Sequence, residues 1–268
     1  MPEMFRLGPL ALPVPVLILL LAFLLASWAG RRLSRGHGED FDGIALWVLV
    51  QAMIAARLAF VAVHFDSYRD AIWTVLDIRD GGWYPLAGLI TVAVAAALAA
   101  RRRVLLRRPL LVATLLGSGI WLLGQVGLAA GRLGDQPLPA LPVATINGDP
   151  ITLDRFKGQP VVINLWATWC PPCRREMPVL ERAQHDHPGI RFILLNQGED
   201  GGVVRQYLTR ESLRFEHVWL DAQRSLARHF GLGALPTTLF FDREGRLSAV
   251  RTGELSSATL AQRLRALH

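Results

Sequence analysis

The chain has two cysteines, Cys170 and Cys173, separated by two prolines. This spacing suits thiol chemistry. A thiolate is the nucleophile in disulfide exchange, and two thiols this close can cycle between dithiol and disulfide without large backbone motion. The run V-V-I-N-L-W-A before the pair reads as a buried strand, and the residues after it suit a helix. Cys170 therefore opens a helix, where unpaired N–H groups and the helix dipole favour an anion. It is expected to be exposed and to attack first. Cys173, one turn further in, is expected to be more buried and to resolve the mixed disulfide by attacking Cys170. Pro171 and Pro172 fit the first helical turn, where proline is well tolerated. No His or Lys lies between the cysteines to favour the thiolate further, so a moderately to strongly reducing couple is expected. Two cysteines cannot form a four-cysteine zinc site, and His185, His187, His217 and His229 lack metal-ligand spacing, so neither a metal nor a cofactor beyond the Cys170–Cys173 disulfide is expected.

The elements that must position this pair alternate in type. A hairpin is expected around Asn147-Gly148, then strands over 161–167 and 190–196, with a helix over 172–186 between them that Pro178 should kink. A helix over 201–212, a short strand at 217–220 and a helix over 223–230 follow. A hairpin (238–242 and 247–251) and an amphipathic helix (256–267) complete the region. This order predicts an α/β fold, a central mixed sheet covered by helices.

Composition separates the two halves of the 268-residue chain. Half of it is apolar (51%), charged residues make up 19%, and the mean hydropathy is +0.30. That excludes a disordered chain, and two cysteines exclude a disulfide-stapled mini-domain. The net charge is +7, of which residues 1–134 carry about +5, with thirteen Arg against eight acids. Those arginines flank long apolar segments, which speaks for a lipid bilayer rather than nucleic acid as the partner.

Four segments, about 7–30, 41–65, 83–100 and 110–131, approach the ~20 apolar residues that cross a bilayer. An all-α four-helix transmembrane region over residues 1–133 is expected. The tail before the first segment holds only Glu3 and Arg6, and the basic residues follow the segment, so a cleaved signal peptide is the poorer reading. Loop 31–40 has three Arg and loop 101–109 has five, whereas loop 66–82 has two Arg against four Asp. The arginine-rich loops face the cytoplasm, which puts both ends of the region outside. A Pro-rich linker, 134–142, then leads to an extracytoplasmic (periplasmic) domain over 143–268. Arg57 and His64, in or near a span, are a functional hint, with pairing inside the bundle or snorkelling as the favoured reading, and the fourth-span glycines suggest close helix packing.

Two resemblances follow. R-L-A-F-V from Arg57, D-G-G-W-Y-P-L-A-G-L-I from Asp80 and G-R-L-G from Gly131 resemble the front part of prolipoprotein diacylglyceryl transferases. Arg132 matches that family's functional arginine. Leu86 stands where the family has histidine, and the text departs after Gly134. The resemblance implies a related membrane scaffold with the transferase chemistry lost.

In the second half, the run V-V-I-N-L-W-A-T-W-C-P-P-C-R-R-E-M-P ending at Pro178, L-D-R-F-K-G-Q-P from Leu153 and G-A-L-P-T-T-L-F-F-D from Gly233 resemble the TlpA/ResA/DsbE-type thioredoxin-like proteins. The resemblance implies a thioredoxin-like fold and reduction of disulfides in extracytoplasmic partner proteins, apocytochromes c in some branches. It assigns Cys170 as the attacking and Cys173 as the resolving cysteine, Glu176 as the family acid and Pro236 as the cis-proline facing the disulfide. Trp166 and Trp169 match flanking aromatics, and with Pro171, Pro172 and Leu235 they would line the substrate groove. Asn164 replaces the buried Asp of ordinary thioredoxins, which leaves Glu176 for general acid–base work; the competing reading is a solvated acid paired with Arg174 or Arg175. A reductase in an oxidising compartment implies a membrane electron donor. Oxidase or isomerase use of the same site, lipid transfer with an accessory redox domain, and a tethered binding module stay open.

Overall fold

The structure is a computed structural model that describes residues 4–7, 10–35, 40–69, 72–76, 78–132, 136–156 and 158–267. The chain divides into two compact units, Met4–Gly131 and a unit beginning at Arg132.

The first unit opens with a small antiparallel hairpin, β1 (Met4–Leu7) and β2 (Leu10–Pro13). Four helices follow: α1 (Val14–Ser34), α2 (Phe41–Val63), α3 (Pro85–Arg102) and α4 (Arg107–Arg132). Among the described residues, four stretches are long and apolar enough to cross a membrane: Val14–Ser34, Phe41–Val63, Pro85–Arg102 and Val104–Leu128. The first helix starts at Val14 and not at Leu7. Pro13 disfavours helical backbone at the residue before it, while Pro15 fits the first turn of the helix. A β-carbon at Gly30 would collide with the Phe41 ring, so glycine there lets the start of α2 pack against α1. Of the fourth-span glycines, Gly117 and Gly124 lie where a β-carbon would press on Ala26 and Ile18, whereas a β-carbon at Gly119 or Gly127 would meet open space.

The buried ionisable group of this unit is paired. Arg57 donates to both carboxylate oxygens of Asp80 (2.9 and 3.3 Å), to the Gly82 carbonyl (2.8 Å) and to the Val75 carbonyl (3.0 Å). Asp80 also accepts from the Tyr68 hydroxyl and the Gly82 N–H. This network ties α2 to the segment that leads into α3. His64 stacks on Phe60 at the end of α2. The side chain of Arg132 lies outside the described residues.

The second unit is a seven-stranded mixed sheet with helices. Its elements in order are β3 (Pro142–Thr145), β4 (Pro150–Thr152), β5 (Val161–Trp166), α5 (Pro171–Asp186), β6 (Arg191–Asn196), α6 (Gly201–Arg210) and β7 (His217–Leu220), then α7 (Ser225–His229), β8 (Thr237–Phe241), β9 (Leu247–Thr252) and α8 (Ser257–Arg265). The strand order is β4-β3-β7-β6-β5-β8-β9. The central trio β7, β6 and β5 is parallel, and the pairs β3–β4, β3–β7, β5–β8 and β8–β9 are antiparallel. All six positions of β5 are buried, as a central strand covered on both faces requires. One apolar cluster gathers Val162, Trp166, Met177 and Phe192 beneath α5 and α6, and a second gathers Ile163, Leu165, Ile193 and Leu239 on the other face. This is the thioredoxin-like arrangement.

Register decides what meets at the end of the sheet. Trp166 is level with Asn196 on β6, and Leu165 with Thr237 on β8. The loop after β5, the loop after β6 and the turn before β8 therefore emerge at one end. They carry Cys170, Glu199 and Pro236.

Candidate functional site

Cys170 caps the N-terminus of α5 from an extended backbone, and Pro171 and Pro172 form the first helical turn. Its Sγ accepts the Cys173 N–H at 3.3 Å. The N–H that this cap satisfies is thus aimed at the sulfur that must carry negative charge when the pair opens. The two cysteines form a disulfide, with their Cα atoms 5.3 Å apart. Cys173 is fully buried, and Cys170 retains only 3% exposure, against the expectation of an exposed attacking sulfur. With the disulfide closed, Cys170 belongs to the same apolar cluster as Trp166, Cys173 and Met177.

Glu176 follows Cys173 by one helical turn on the same face of α5. It is completely buried. It accepts from Asn164 Nδ2 (2.7 Å) and from the Leu255 N–H (2.9 Å), and Asn164 also donates to Thr238 Oγ1 (3.0 Å). Two hydrogen bonds do not offset the loss of water, and burial pushes the Glu176 carboxyl up to about 8. The competing reading, a solvated acid beside Arg174 or Arg175, does not hold. Arg174 pairs with Glu211 (3.4 Å) and Arg175 with Glu254 (2.6 Å) on the exposed surface.

The Leu235–Pro236 peptide bond is cis. The Pro236 carbonyl accepts the Gly253 N–H at 2.9 Å, which joins this turn to the end of β9. Leu235 is half-buried and packs against both apolar clusters. The two tryptophans separate. Trp169 is 60% exposed beside the disulfide, but Trp166 is fully buried against Tyr207 (ring centroids 5.5 Å apart) and lines no groove. It is the last residue of a strand covered on both faces, so its ring supports the site from beneath.

Sequence reading passed over two features of the site. One is the set of partners around Glu176, of which the Leu255 N–H lies 79 residues away and carries no side-chain signature. The other is Glu199, whose carboxylate meets Thr168 and Asn196. The only signal was an acid in the loop after a central strand. Among the described residues, no three His, Cys, Asp or Glu side chains converge as a metal site.

Two family models match the chain, one per half. Residues 133–264 match Redoxin and residues 2–135 match prolipoprotein diacylglyceryl transferase. Among curated relatives, the thiol-disulfide oxidoreductase ResA of Geobacillus thermodenitrificans (strain NG80-2) is 30% identical over 131 residues, 48% of this chain and 75% of that protein. The ResA of Bacillus subtilis (strain 168) is 27% identical over 164 residues, 60% of this chain and 90% of that protein. Among solved structures, a thioredoxin-family thiol:disulfide interchange protein from Chlorobium tepidum TLS is 27% identical, with 50% of this chain and 96% of that one covered, at a TM-score of 0.45.

A cysteine pair closed at the helix start of a thioredoxin-like unit defines a thiol–disulfide oxidoreductase. The chain belongs to the ResA family of these enzymes through its second half and to the prolipoprotein diacylglyceryl transferase family through its first.

Proposed function

We propose that this enzyme is a disulfide reductase anchored in the bacterial inner membrane, with its redox unit (from about residue 143) on the periplasmic side of a four-span region and joined to it by the linker 134–142. The arginine-rich loops 31–40 and 101–109 support this orientation. The substrates are disulfide-containing periplasmic proteins, apocytochromes c among the candidates. Lipid transfer is not proposed, because Leu86 occupies the position of the transferases' histidine.

The observation that carries the proposal is the Cys170–Cys173 disulfide beside a buried, high-pKa Glu176. In the reduced enzyme, the Cys170 thiolate attacks one sulfur of a substrate disulfide. That S–S bond breaks, a mixed disulfide forms, and the released substrate thiolate takes a proton. Cys173 then loses its proton to the Glu176 carboxylate and attacks the Cys170 Sγ. The mixed disulfide breaks, the second substrate thiol leaves with the proton, and two electrons have passed to the substrate. The Cys170–Cys173 disulfide that results is returned to the dithiol by a membrane electron donor. Trp169, Pro171, Pro172, Leu235 and the cis-Pro236 turn are the surface proposed to receive the substrate chain.

The test uses full-length protein in detergent with dithiothreitol as electron source and an oxidised protein substrate. Turnover is expected from the native chain and is abolished in Cys170→Ser, while Cys173→Ser accumulates a mixed disulfide. A reduction potential above that of thioredoxin, about −270 mV, would favour an oxidase or isomerase instead.

A further inference from the structure

Glu199 lies in the loop after β6, 29 residues beyond Cys170, and its backbone and side chain are both held. Its carboxylate accepts the Thr168 N–H at 2.7 Å and the Thr168 hydroxyl at 2.5 Å, and it also accepts Asn196 Nδ2 at 2.7 Å. Its own N–H donates to Asn196 Oδ1 at 3.1 Å. Asn196 is fully buried at the end of a central strand, so the clamp is rooted in the sheet. Thr168 is two residues before Cys170, whose N–H closes a tight turn onto the Ala167 carbonyl at 3.2 Å. The acid therefore grips the turn that delivers both Cys170 and the exposed Trp169.

We propose that Glu199 is a positioning residue for the redox reaction: through Thr168 it fixes the Ala167–Cys170 turn and so holds the Cys170 Sγ within reach of Cys173. The inference rests on the oxidoreductase reading above. A carboxylate is needed because three donors converge on it. A glutamine has a single acceptor oxygen, so its amide nitrogen would confront one of those donors. A turn held in place raises the effective concentration of one thiol at the other, which favours disulfide closure.

The experiment compares full-length native protein, Glu199→Gln, Thr168→Val and the double variant in detergent. Each is equilibrated with glutathione redox buffer, and thiols are then trapped by alkylation. Turnover on an oxidised protein substrate and the thermal midpoint are measured in parallel. Glu199→Gln is expected to lower the equilibrium constant for Cys170–Cys173 closure about tenfold and to slow turnover by a similar factor. Thr168→Val shifts both in the same direction by less, and the double variant falls short of the product of the singles, because both act on one contact. A lower thermal midpoint with an unchanged closure constant and turnover would overturn the proposal, since that is the result of a merely structural contact. So would full additivity. Absence of turnover in the native protein would instead sink the oxidoreductase reading itself, and the two failures are distinguishable.

Discussion

Glu176 follows Cys173 by one helical turn, and burial brings its carboxyl to about 8. A carboxyl that titrates this close to neutral pH can both take and return a proton there, which is the condition for efficient general acid–base catalysis. Glu176→Gln is expected to slow resolution of the mixed disulfide by about two orders of magnitude at neutral pH, and to flatten its pH dependence around 8. Stopped-flow measurement of mixed-disulfide decay in protein that retains both cysteines reads both. The same carboxyl shapes stability. Its folded-state pKa lies above the ordinary value of 4.5, so between about 4.5 and 8 the folded protein holds a proton that the unfolded chain releases. Stability therefore falls as pH rises through that window, and denaturant titrations of Glu176→Gln should lack that part of the slope. The redox use of the cysteine pair was legible from its spacing together with the buried strand before it and the helix after it. The setting of Glu176 was not, because its second donor is a backbone N–H from the segment before α8. Trp166 was misread because every position of β5 is buried, so alternation gives no clue to which face a side chain takes.

At the scale of elements, the segment between α2 and α3 is fixed by one ion pair. The Arg57 guanidinium and the Asp80 carboxylate are both buried, and each makes further hydrogen bonds. Replacing Arg57 by leucine leaves the Asp80 carboxylate without its cation, a change that costs about 3–5 kcal/mol where such pairs have been broken. Arg57→Leu should lower the thermal midpoint in detergent sharply, and Arg57→Leu combined with Asp80→Leu should recover much of the loss. Equal loss in both would refute this role for the pair. The order of strands and helices in the redox unit was readable because buried runs and turn residues alternate cleanly, as at Asn147-Gly148, where Gly148 adopts a φ of 93°. The start of α1 was not, since an apolar run continues through prolines that end the helix and admit a short hairpin instead. Pro178 lies inside α5, which runs on from Pro171 to Asp186.

For the whole molecule, the proposal couples a membrane unit that has no cysteine to a redox unit that has two. Electrons cannot pass through thiols of the membrane unit, so the donor must reach Cys170 and Cys173 from outside the chain. In intact cells treated with a permeant reductant, a membrane-impermeant maleimide is expected to label Cys170, the attacking sulfur. Labelling only after lysis would place the redox unit on the cytoplasmic side. Charge asymmetry along the sequence made this orientation arguable, because arginine counts in short loops respond to the membrane and not to the fold. The direction of electron flow has no such signature, since the same two sulfurs serve oxidation and reduction. It is set by the donor and by the stability of the disulfide. The most direct measurement is the steady-state redox state of Cys170 and Cys173 in growing cells, by acid quenching, alkylation and gel shift. A mostly reduced pair is the result expected of a periplasmic reductase with its own electron supply. A mostly oxidised pair, in cells that carry the complete electron-supply system, would contradict it.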